Sequence, residues 1–202
     1  MNNKGLLMVF AKNPVLGTAK TRLAASVGAE KALEIYQFLL QHTATITAAS
    51  DSDKRVFYSS YIESGDVFSE EHFSKTLQRQ GDLGEKMSAG FQIAFDDQYD
   101  RVVIIGSDCY ELSTSILNQA FEALLSHDFV IGPAKDGGYY LLGMRQLEPA
   151  VFQNKTWSHE SLYQATLADF TALNYSFVEL PVLSDVDYLD DLPQDVRTKF
   201  GV

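Results

Sequence analysis

The sequence is poor in cysteine, in basic residues and in long apolar runs, and each scarcity excludes a class of protein. Cys109 is the only cysteine among 202 residues, so an internal disulfide is impossible and a reducing compartment is expected. The first apolar run, Leu6 to Ala11, ends at Lys12 and is too short for a signal-peptide core or a membrane span. A cytoplasmic protein without membrane partners is therefore expected.

Basic residues are outnumbered, with 16 Lys and Arg against 27 Asp and Glu and a formal charge of −11. This balance argues against binding to nucleic acid, which usually needs a basic face. The basic residues are also unevenly placed. The stretch from Met1 to Ala29 holds four of them and no acid, whereas Asp185 to Asp195 holds five aspartates and no base. The two stretches could face one site, one holding phosphate and the other metal, or both could be solvated surface segments.

Alternating strand and helix patterns predict an α/β protein in three layers, with a mostly parallel sheet between helices. At this length, one domain over residues 1–202 is expected. The strongest strand pattern is Arg101–Gly106, whose unbroken apolar run is typical of a central strand covered on both faces. Other strands are predicted at Leu6–Ala11, Arg55–Tyr61, Thr76–Gln80, Phe129–Gly132, Tyr139–Leu142 and Ser176–Leu180. Helices are predicted at Thr21–Val27, Glu30–Ala49, Leu83–Phe95, Ser113–Leu125, Glu160–Phe170 and Leu189–Lys199.

The segment from Phe10 to Leu23 leaves the first strand through a loop with Pro14 and Gly17 and then enters a helix. Ligands of parallel α/β sheets bind at the carboxyl ends of the strands, and a helix start with nearby lysines suits phosphate. The segment has neither the Walker A spacing nor a G-x-G-x-x-G pattern. Phosphate binding and a structural turn are about equally supported by this loop alone.

Two further segments carry polar residues at the same edge of the sheet. Asp108 follows the central strand, and its carboxylate is of the kind that binds Mg²⁺. A metal ligand is favoured over a helix cap at this position, because Ser113 is the better cap for the helix that follows. Cys109 beside it is interpreted as a small packing residue. In the segment Gly132–Gly143, the residues Lys135, Asp136 and Tyr139 could meet a substrate near Gly137 and Gly138, although a tight hairpin explains the glycines equally well.

Several other site types find no support. The four histidines have no zinc-like spacing with one another or with the cysteine. No G-x-S-x-G motif is present, so a hydrolase of that type is not indicated.

Five ordered motifs together resemble a known family. They are F-x-K-x-P-x-x-G-x-x-K-T-R-L at Phe10–Leu23, D-L-G-E-[RK]-M at Asp82–Met87, G-[ST]-D-C at Gly106–Cys109, G-P-x-x-D-G-G-Y at Gly132–Tyr139 and D-V-D-x-x-x-D-L at Asp185–Leu192. The sequence resembles the nucleotide-diphospho-sugar transferase superfamily of glycosyltransferase-A fold. Within it, the small bacterial glycosyltransferase group associated with arsenosugar and selenium-compound biosynthesis is the most similar. Phospholactate guanylyltransferase and the molybdenum-cofactor nucleotidyltransferases are related to it.

The resemblance implies a Rossmann-like fold and a set of site residues. It implies that Asp108 shares one Mg²⁺ or Mn²⁺ with Asp187, which is favoured over Asp185 because it matches an aspartate of the related nucleotidyltransferases. It implies catalytic roles for Lys20, Arg22 and Asp108. The nucleotide would be bound by Ala11, Lys12, Gly17, Lys20, Arg22, Gln78, Asp82 and Gly84, and the substrate by Asp136, Gly137, Gly138 and Tyr139.

Three departures from the family pattern concern the acceptor more than the nucleotide. Tyr110 stands where the family usually has Pro, His159 where it often has Thr, and Tyr188-Leu189 where it has Thr-Pro. The partners implied are a nucleotide or nucleotide sugar and a small acceptor. Glycosyl transfer from a nucleotide sugar is the first hypothesis, nucleotidyl transfer from a nucleoside triphosphate the second, and a non-catalytic nucleotide-binding module the third.

Overall fold

In the described part of the chain, seven strands form one sheet in the order β3-β2-β1-β4-β6-β5-β7. The computed structural model describes residues 4–202. The strands are β1 Gly5–Ala11, β2 Asp53–Tyr58, β3 Ser74–Leu77, β4 Arg101–Ile105, β5 Phe129–Pro133, β6 Tyr139–Met144 and β7 Phe177–Glu179. The helices are α1 Thr21–Val27, α2 Ala29–Ala48, α3 Leu83–Asp96, α4 Thr114–Ala123, α5 Leu162–Ala172 and α6 Gln194–Phe200.

Neighbouring strands are parallel except at β6, which runs antiparallel to both β4 and β5. The mostly parallel sheet expected from the sequence is confirmed. The Gly137-Gly138 pair lies in the hairpin that the sequence allowed, because β5 turns directly into β6, and an approach of substrate to this pair stays a prediction. This turn places the beginning of β6 at the edge where β1 and β4 end.

Side chains alternate between the two faces of the sheet, and helices cover both. In β1, Leu7 and Val9 pack in a cluster with residues of α2 and α4, whereas Leu6 and Met8 pack in a second cluster with residues of α3 and α5. This alternation follows from the period of two along a strand. It gives the three layers predicted from the sequence. A smaller third cluster joins α1, α2 and α6.

Several predicted element boundaries differ from the structure; the third strand, for example, lies at Ser74–Leu77 instead of Thr76–Gln80. Two of the differences have identifiable reasons. The helix expected over Leu189–Lys199 is divided into a 3₁₀ turn at Leu189–Asp191 and α6, because Pro193 lies between them and has no N–H to continue a helix. The second strand ends at Tyr58 instead of Tyr61. The following turn is held by the buried Asn13 side chain, which accepts hydrogen bonds from the backbone N–H groups of Ser60 and Tyr61.

Helix caps end the loops that border the site. Asp82 caps α3 in a capping box with Glu85, and Ser113 caps α4, as the sequence predicted for Ser113. Among residues 4–202, no helix has the length and apolar character needed to cross a bilayer.

Candidate active site

A cleft of about 640 Å³ opens at the carboxyl edge of the sheet. Three segments that the sequence placed at this edge contribute to its wall: the loop after β1, the loop after β4 and the β5–β6 hairpin. The Asp187 region joins them from the C-terminal part of the chain. The lining residues are Phe10, Ala11, Lys12, Ala19, Lys20, Thr21, Arg22, Tyr36, Ser59, Gln78, Leu83, Lys86, Gly106, Ser107, Asp108, Asp136, Ser158 and Asp187.

Lys20 connects the basic and acidic parts of the cleft. Its Nζ lies 2.6 Å from Asp108 Oδ2 and 3.2 Å from Asp187 Oδ1. Arg22 extends the cluster, with Nη1 at 3.1 Å from Asp187 Oδ2. Lys20 and Arg22 of the basic N-terminal stretch therefore meet Asp187 of the acidic C-terminal stretch at one place. The rest of the two stretches does not join them, since Lys4 pairs with Asp53 and Asp190 pairs with Arg197.

The backbone at Lys20 is in the left-handed region, with φ 52° and ψ 45°, immediately before α1. A lysine has no intrinsic preference for this conformation, and such strained positions cluster at ligand sites. The side chain is only 5% exposed. The fold thus holds a buried ammonium group at a fixed point between two carboxylates.

Electrostatics in the cluster favour the charged form of Lys20. Burial alone would lower the pKa of its ammonium group, but the charges and hydrogen bonds of Asp108 and Asp187 raise the pKa above its ordinary value. Asp185 differs, because burial and the neighbouring charge of Asp108 raise its pKa to about 8. Asp185 is partly buried, and its carboxyl group forms no ion pair within residues 4–202.

Backbone contacts hold the two aspartates of the ion pair in place. The N–H of Val186 donates to the carbonyl of Asp108 over 3.0 Å, which joins the acidic segment to the loop after β4. The Asp191 carboxylate accepts from the N–H groups of Asp187 and Tyr188 at 2.9 and 2.7 Å. Asp187 is thereby fixed at the turn that precedes α6.

The remaining predicted nucleotide residues divide into two groups. Ala11, Lys12 and Gln78 line the cleft, and Gln78 Nε2 donates to the carbonyl of Phe57 over 3.0 Å, which orients its amide. Gly17, Asp82 and Gly84 do not line it. Gly17 has φ 77° in an open part of the loop, Asp82 caps α3, and Gly84 lies so close to Trp157 that an added Cβ would be 2.2 Å from its ring.

The predicted substrate residues divide in the same way. Asp136 lines the cleft, and its Oδ1 accepts from the N–H of Gly138 over 2.9 Å within the hairpin. Gly137 has φ 86° and lies against the backbone of Glu160. Tyr139 packs against the second core cluster instead of lining the cleft, and burial raises the pKa of its hydroxyl. Roles for these four residues in binding remain predictions.

Several residues that line the cleft were not recognised in the sequence as functional candidates, and Tyr36 and Ser107 are two of them. Tyr36 lies on the buried, mostly apolar face of α2, yet its hydroxyl reaches the cleft wall, where it contacts Lys12 and Ser107. Ser107 lies inside the G-[ST]-D-C motif, but an uncharged serine there does not by itself indicate a functional role. Cys109 is buried, and burial raises the pKa of its thiol, in agreement with a packing residue. Among residues 4–202, no group of three or more His, Cys, Asp or Glu has metal-binding geometry.

Comparison with known structures identifies the class of this protein. A protein of Desulfovibrio desulfuricans G20, provisionally described as a nucleotide-diphospho-sugar transferase, is 31% identical, with a TM-score of 0.85 over 98% of this chain and 91% of the other. The chain belongs to the nucleotide-diphospho-sugar transferase superfamily. Its residues 40–159 also match the family described as uncharacterized protein conserved in bacteria (DUF2064), so DUF2064 is the particular family to which it belongs.

More distant structures share the fold alone. An inositol-1-phosphate CTP transferase of T. maritima is 12% identical, with a TM-score of 0.60 over 99% of this chain and 96% of the other. A protein of Mycobacterium tuberculosis H37Rv, solved as a manganese complex, is 12% identical, with a TM-score of 0.54 over 93% of this chain and 94% of the other. A comparison with the curated proteins finds no match.

Proposed function

We propose that this protein is a metal-dependent transferase that acts on a nucleotide or nucleotide sugar through the phosphates of that substrate. The observation that carries the proposal is the contact of one buried ammonium group, Lys20, with two carboxylates, Asp108 and Asp187, in the cleft at the carboxyl edge. Ligands of parallel α/β sheets bind at this edge. Membership of the nucleotide-diphospho-sugar transferase superfamily supports the same substrate class.

The two carboxylates fit a divalent cation of the Mg²⁺ or Mn²⁺ type. Both contact the same nitrogen atom, so their oxygens converge on one small volume, and hard oxygen donors suit these ions. Mg²⁺ commonly takes one or two protein carboxylates and completes its shell with water and substrate phosphate, so Asp108 and Asp187 are a sufficient protein contribution. Such an ion would neutralise charge on the phosphates.

Lys12, Lys20 and Arg22 would bind the phosphates and stabilise the negative charge that develops on the leaving group. All three line the cleft. The fold already places the ammonium group of Lys20 in the cleft, and this group would turn from the carboxylates to the phosphates when the metal binds between Asp108 and Asp187. The base would lie toward Gln78, and the acceptor would lie toward Asp136 and the hairpin.

Glycosyl transfer is the reaction that we favour. In it, the bond between the sugar's anomeric carbon and the phosphate oxygen breaks, a bond from that carbon to an acceptor oxygen forms, the acceptor loses a proton, and a nucleoside diphosphate leaves. The name of the Desulfovibrio relative supports this assignment.

Nucleotidyl transfer is the second candidate. An acceptor oxygen would attack the α-phosphorus of a nucleoside triphosphate, and pyrophosphate would leave. The four basic residues in the cleft, Lys12, Lys20, Arg22 and Lys86, favour it, because a triphosphate carries more charge to neutralise. The shared fold of the T. maritima CTP transferase is compatible with it. A catalytically silent nucleotide-binding module is the third candidate.

Product analysis distinguishes the candidates. The protein is incubated with nucleotide sugars or nucleoside triphosphates, Mg²⁺ and a cell extract as the source of acceptor, after binding has been shown by calorimetry. Nucleoside diphosphate released from a nucleotide sugar supports glycosyl transfer, and pyrophosphate released from a triphosphate assigns nucleotidyl transfer instead. Saturating binding without turnover under any metal supports the binding module.

A matched pair of variants shows whether the cluster is responsible. Asp108→Asn should lower turnover at least ~100-fold, the scale of removing one preorganised electrostatic group. Asp169→Asn removes the carboxylate partner of another buried lysine, Lys155, outside the cleft, and should leave turnover unchanged. Equal losses in both variants would mean that the Asp108 effect is only a loss of stability.

A further inference from the structure

The hydroxyl group of Tyr36 lies where two loops of the cleft meet. Tyr36 is on α2, and its ring is buried in the core cluster that α2 forms with the sheet. The oxygen lies 3.0 Å from the backbone nitrogen of Lys12, 2.9 Å from the carbonyl oxygen of Lys12 and 3.2 Å from Ser107 Oγ. Lys12 begins the loop that leads to Lys20, and Ser107 directly precedes Asp108.

All three contacts can be made at once. A tyrosine hydroxyl donates one hydrogen bond and accepts two. It donates to the carbonyl of Lys12 and accepts from the N–H of Lys12, which leaves its second lone pair for the hydroxyl of Ser107. Burial raises the pKa of Tyr36 to about 12, so the group keeps its proton and its donor role at neutral pH.

We propose that Tyr36 is a positioning residue that fixes the loop carrying Lys20 relative to the loop carrying Asp108. This fixed spacing sets the Lys20–Asp108 contact of 2.6 Å, which is the core of the candidate site. Both backbone polar groups of Lys12 are used by Tyr36, so Lys12 meets phosphate with its side chain and not with its N–H. The consequence for nucleotide binding rests on the function proposed above.

Tyr36→Phe removes the hydroxyl and keeps the packed ring. Tyr99→Phe is the matched control, because the Tyr99 hydroxyl donates to Asp53 over 2.9 Å at the opposite edge of the sheet, away from the cleft. Both variants lose one hydrogen-bonding hydroxyl with little change in packing. If the hydroxyl group of Tyr36 only stabilises the fold, the two variants should therefore show similar effects.

The first measurement is amide hydrogen exchange by NMR in the ligand-free protein. In Tyr36→Phe, the Lys12 amide should exchange about tenfold faster relative to amides within β1, since it loses its acceptor. It should be unchanged in Tyr99→Phe. Unchanged Lys12 exchange in Tyr36→Phe would overturn the proposal, whatever the protein binds.

The second measurement is calorimetry with Mg²⁺ and nucleotides or nucleotide sugars that bind the wild type. Affinity should fall about tenfold in Tyr36→Phe and stay constant in Tyr99→Phe. A double-mutant cycle with Ser107→Ala should be non-additive, because both variants break the same connection. Faster exchange with unchanged affinity would overturn the positioning role. If the wild type binds no nucleotide, the proposed function fails, and the exchange result alone decides whether Tyr36 holds the loops together.

Discussion

Replacing Lys20 by methionine should have opposite effects on metal binding and on nucleotide binding. The ammonium group of Lys20 occupies the position between Asp108 and Asp187 that a divalent cation would share. Without nucleotide, the two cations compete for the same carboxylates, so Lys20→Met should bind Mn²⁺ more tightly than the wild type. With nucleotide, the same variant lacks a charge-assisted contact to phosphate and should bind more weakly.

The structure indicates the size of these changes. Lost hydrogen bonds to a charged group cost about 1.5–3 kcal/mol, which corresponds to about 10–100-fold in nucleotide affinity. Breaking a fully buried ion pair costs about 3–5 kcal/mol of folding stability. Asp108 and Asp187 are 32% and 39% exposed, so water can solvate them after the change. A loss of about 1–3 kcal/mol is therefore expected.

Lys155→Met is the matched control for this prediction. Lys155 is 4% exposed and pairs with Asp169, which is 34% exposed, so the pair closely matches Lys20 and Asp108 in burial but lies outside the cleft. Free Mn²⁺ is measured by electron paramagnetic resonance, nucleotide affinity by calorimetry and stability by urea unfolding. Unchanged or weaker Mn²⁺ binding in Lys20→Met, compared with Lys155→Met, would refute competition between the lysine and the metal.

Three other predictions concern single side chains. Arg22→Ala should weaken nucleotide binding by less than Lys20→Met does, because Arg22 is 55% exposed, and it should reduce the salt dependence of nucleotide binding. Calorimetry at several salt concentrations measures both effects, and an unchanged salt dependence would contradict the prediction. Gly137→Ala should destabilise the protein by more than 1 kcal/mol in urea unfolding, roughly the cost of a strained backbone, because φ is 86° and a Cβ would lie 2.1 Å from the carbonyl oxygen of Glu160. Gly17→Ala, which has open space around it, should destabilise the protein less. Hydrogen bonds from Ser176 lower the pKa of Asp128 below 3.8. The stability advantage of the wild type over Asp128→Asn should therefore be complete above pH 3.8 and disappear as the pH falls through the lowered pKa. An advantage that persists at still lower pH in urea unfolding would argue against this.

The layers and the site edge could be predicted from the sequence because both depend on local patterns. The apolar run at Arg101–Ile105 and the polar residues that follow it identify a buried strand and its carboxyl end without reference to any other segment. The ordered motifs then indicate which strand ends carry ligand residues. Asp108, Lys20, Arg22 and Asp187 were selected in this way, and the fold brings all four together.

What the sequence did not reveal depends on contacts between distant residues. Gly84 leaves room for the ring of Trp157, which is far along the chain, and no local pattern shows this contact. Tyr36 follows the apolar period of α2, and only the arrangement of Lys12 and Ser107 around its hydroxyl gives it a polar role. Such roles arise from tertiary packing and leave no pattern in local sequence.

A crystal grown with Mn²⁺ and a nucleoside diphosphate would show whether Asp108 and Asp187 share a metal ion. We expect one anomalous peak within metal–ligand distance of both carboxylates, about 2.1 Å for an ion of this size, with Lys20 moved from the carboxylates toward phosphate. The same crystal of an Asp108→Asn, Asp187→Asn double variant should lack the peak. An ion bound elsewhere, or nucleotide bound outside the cleft with the Lys20–Asp108 contact intact, would contradict the account.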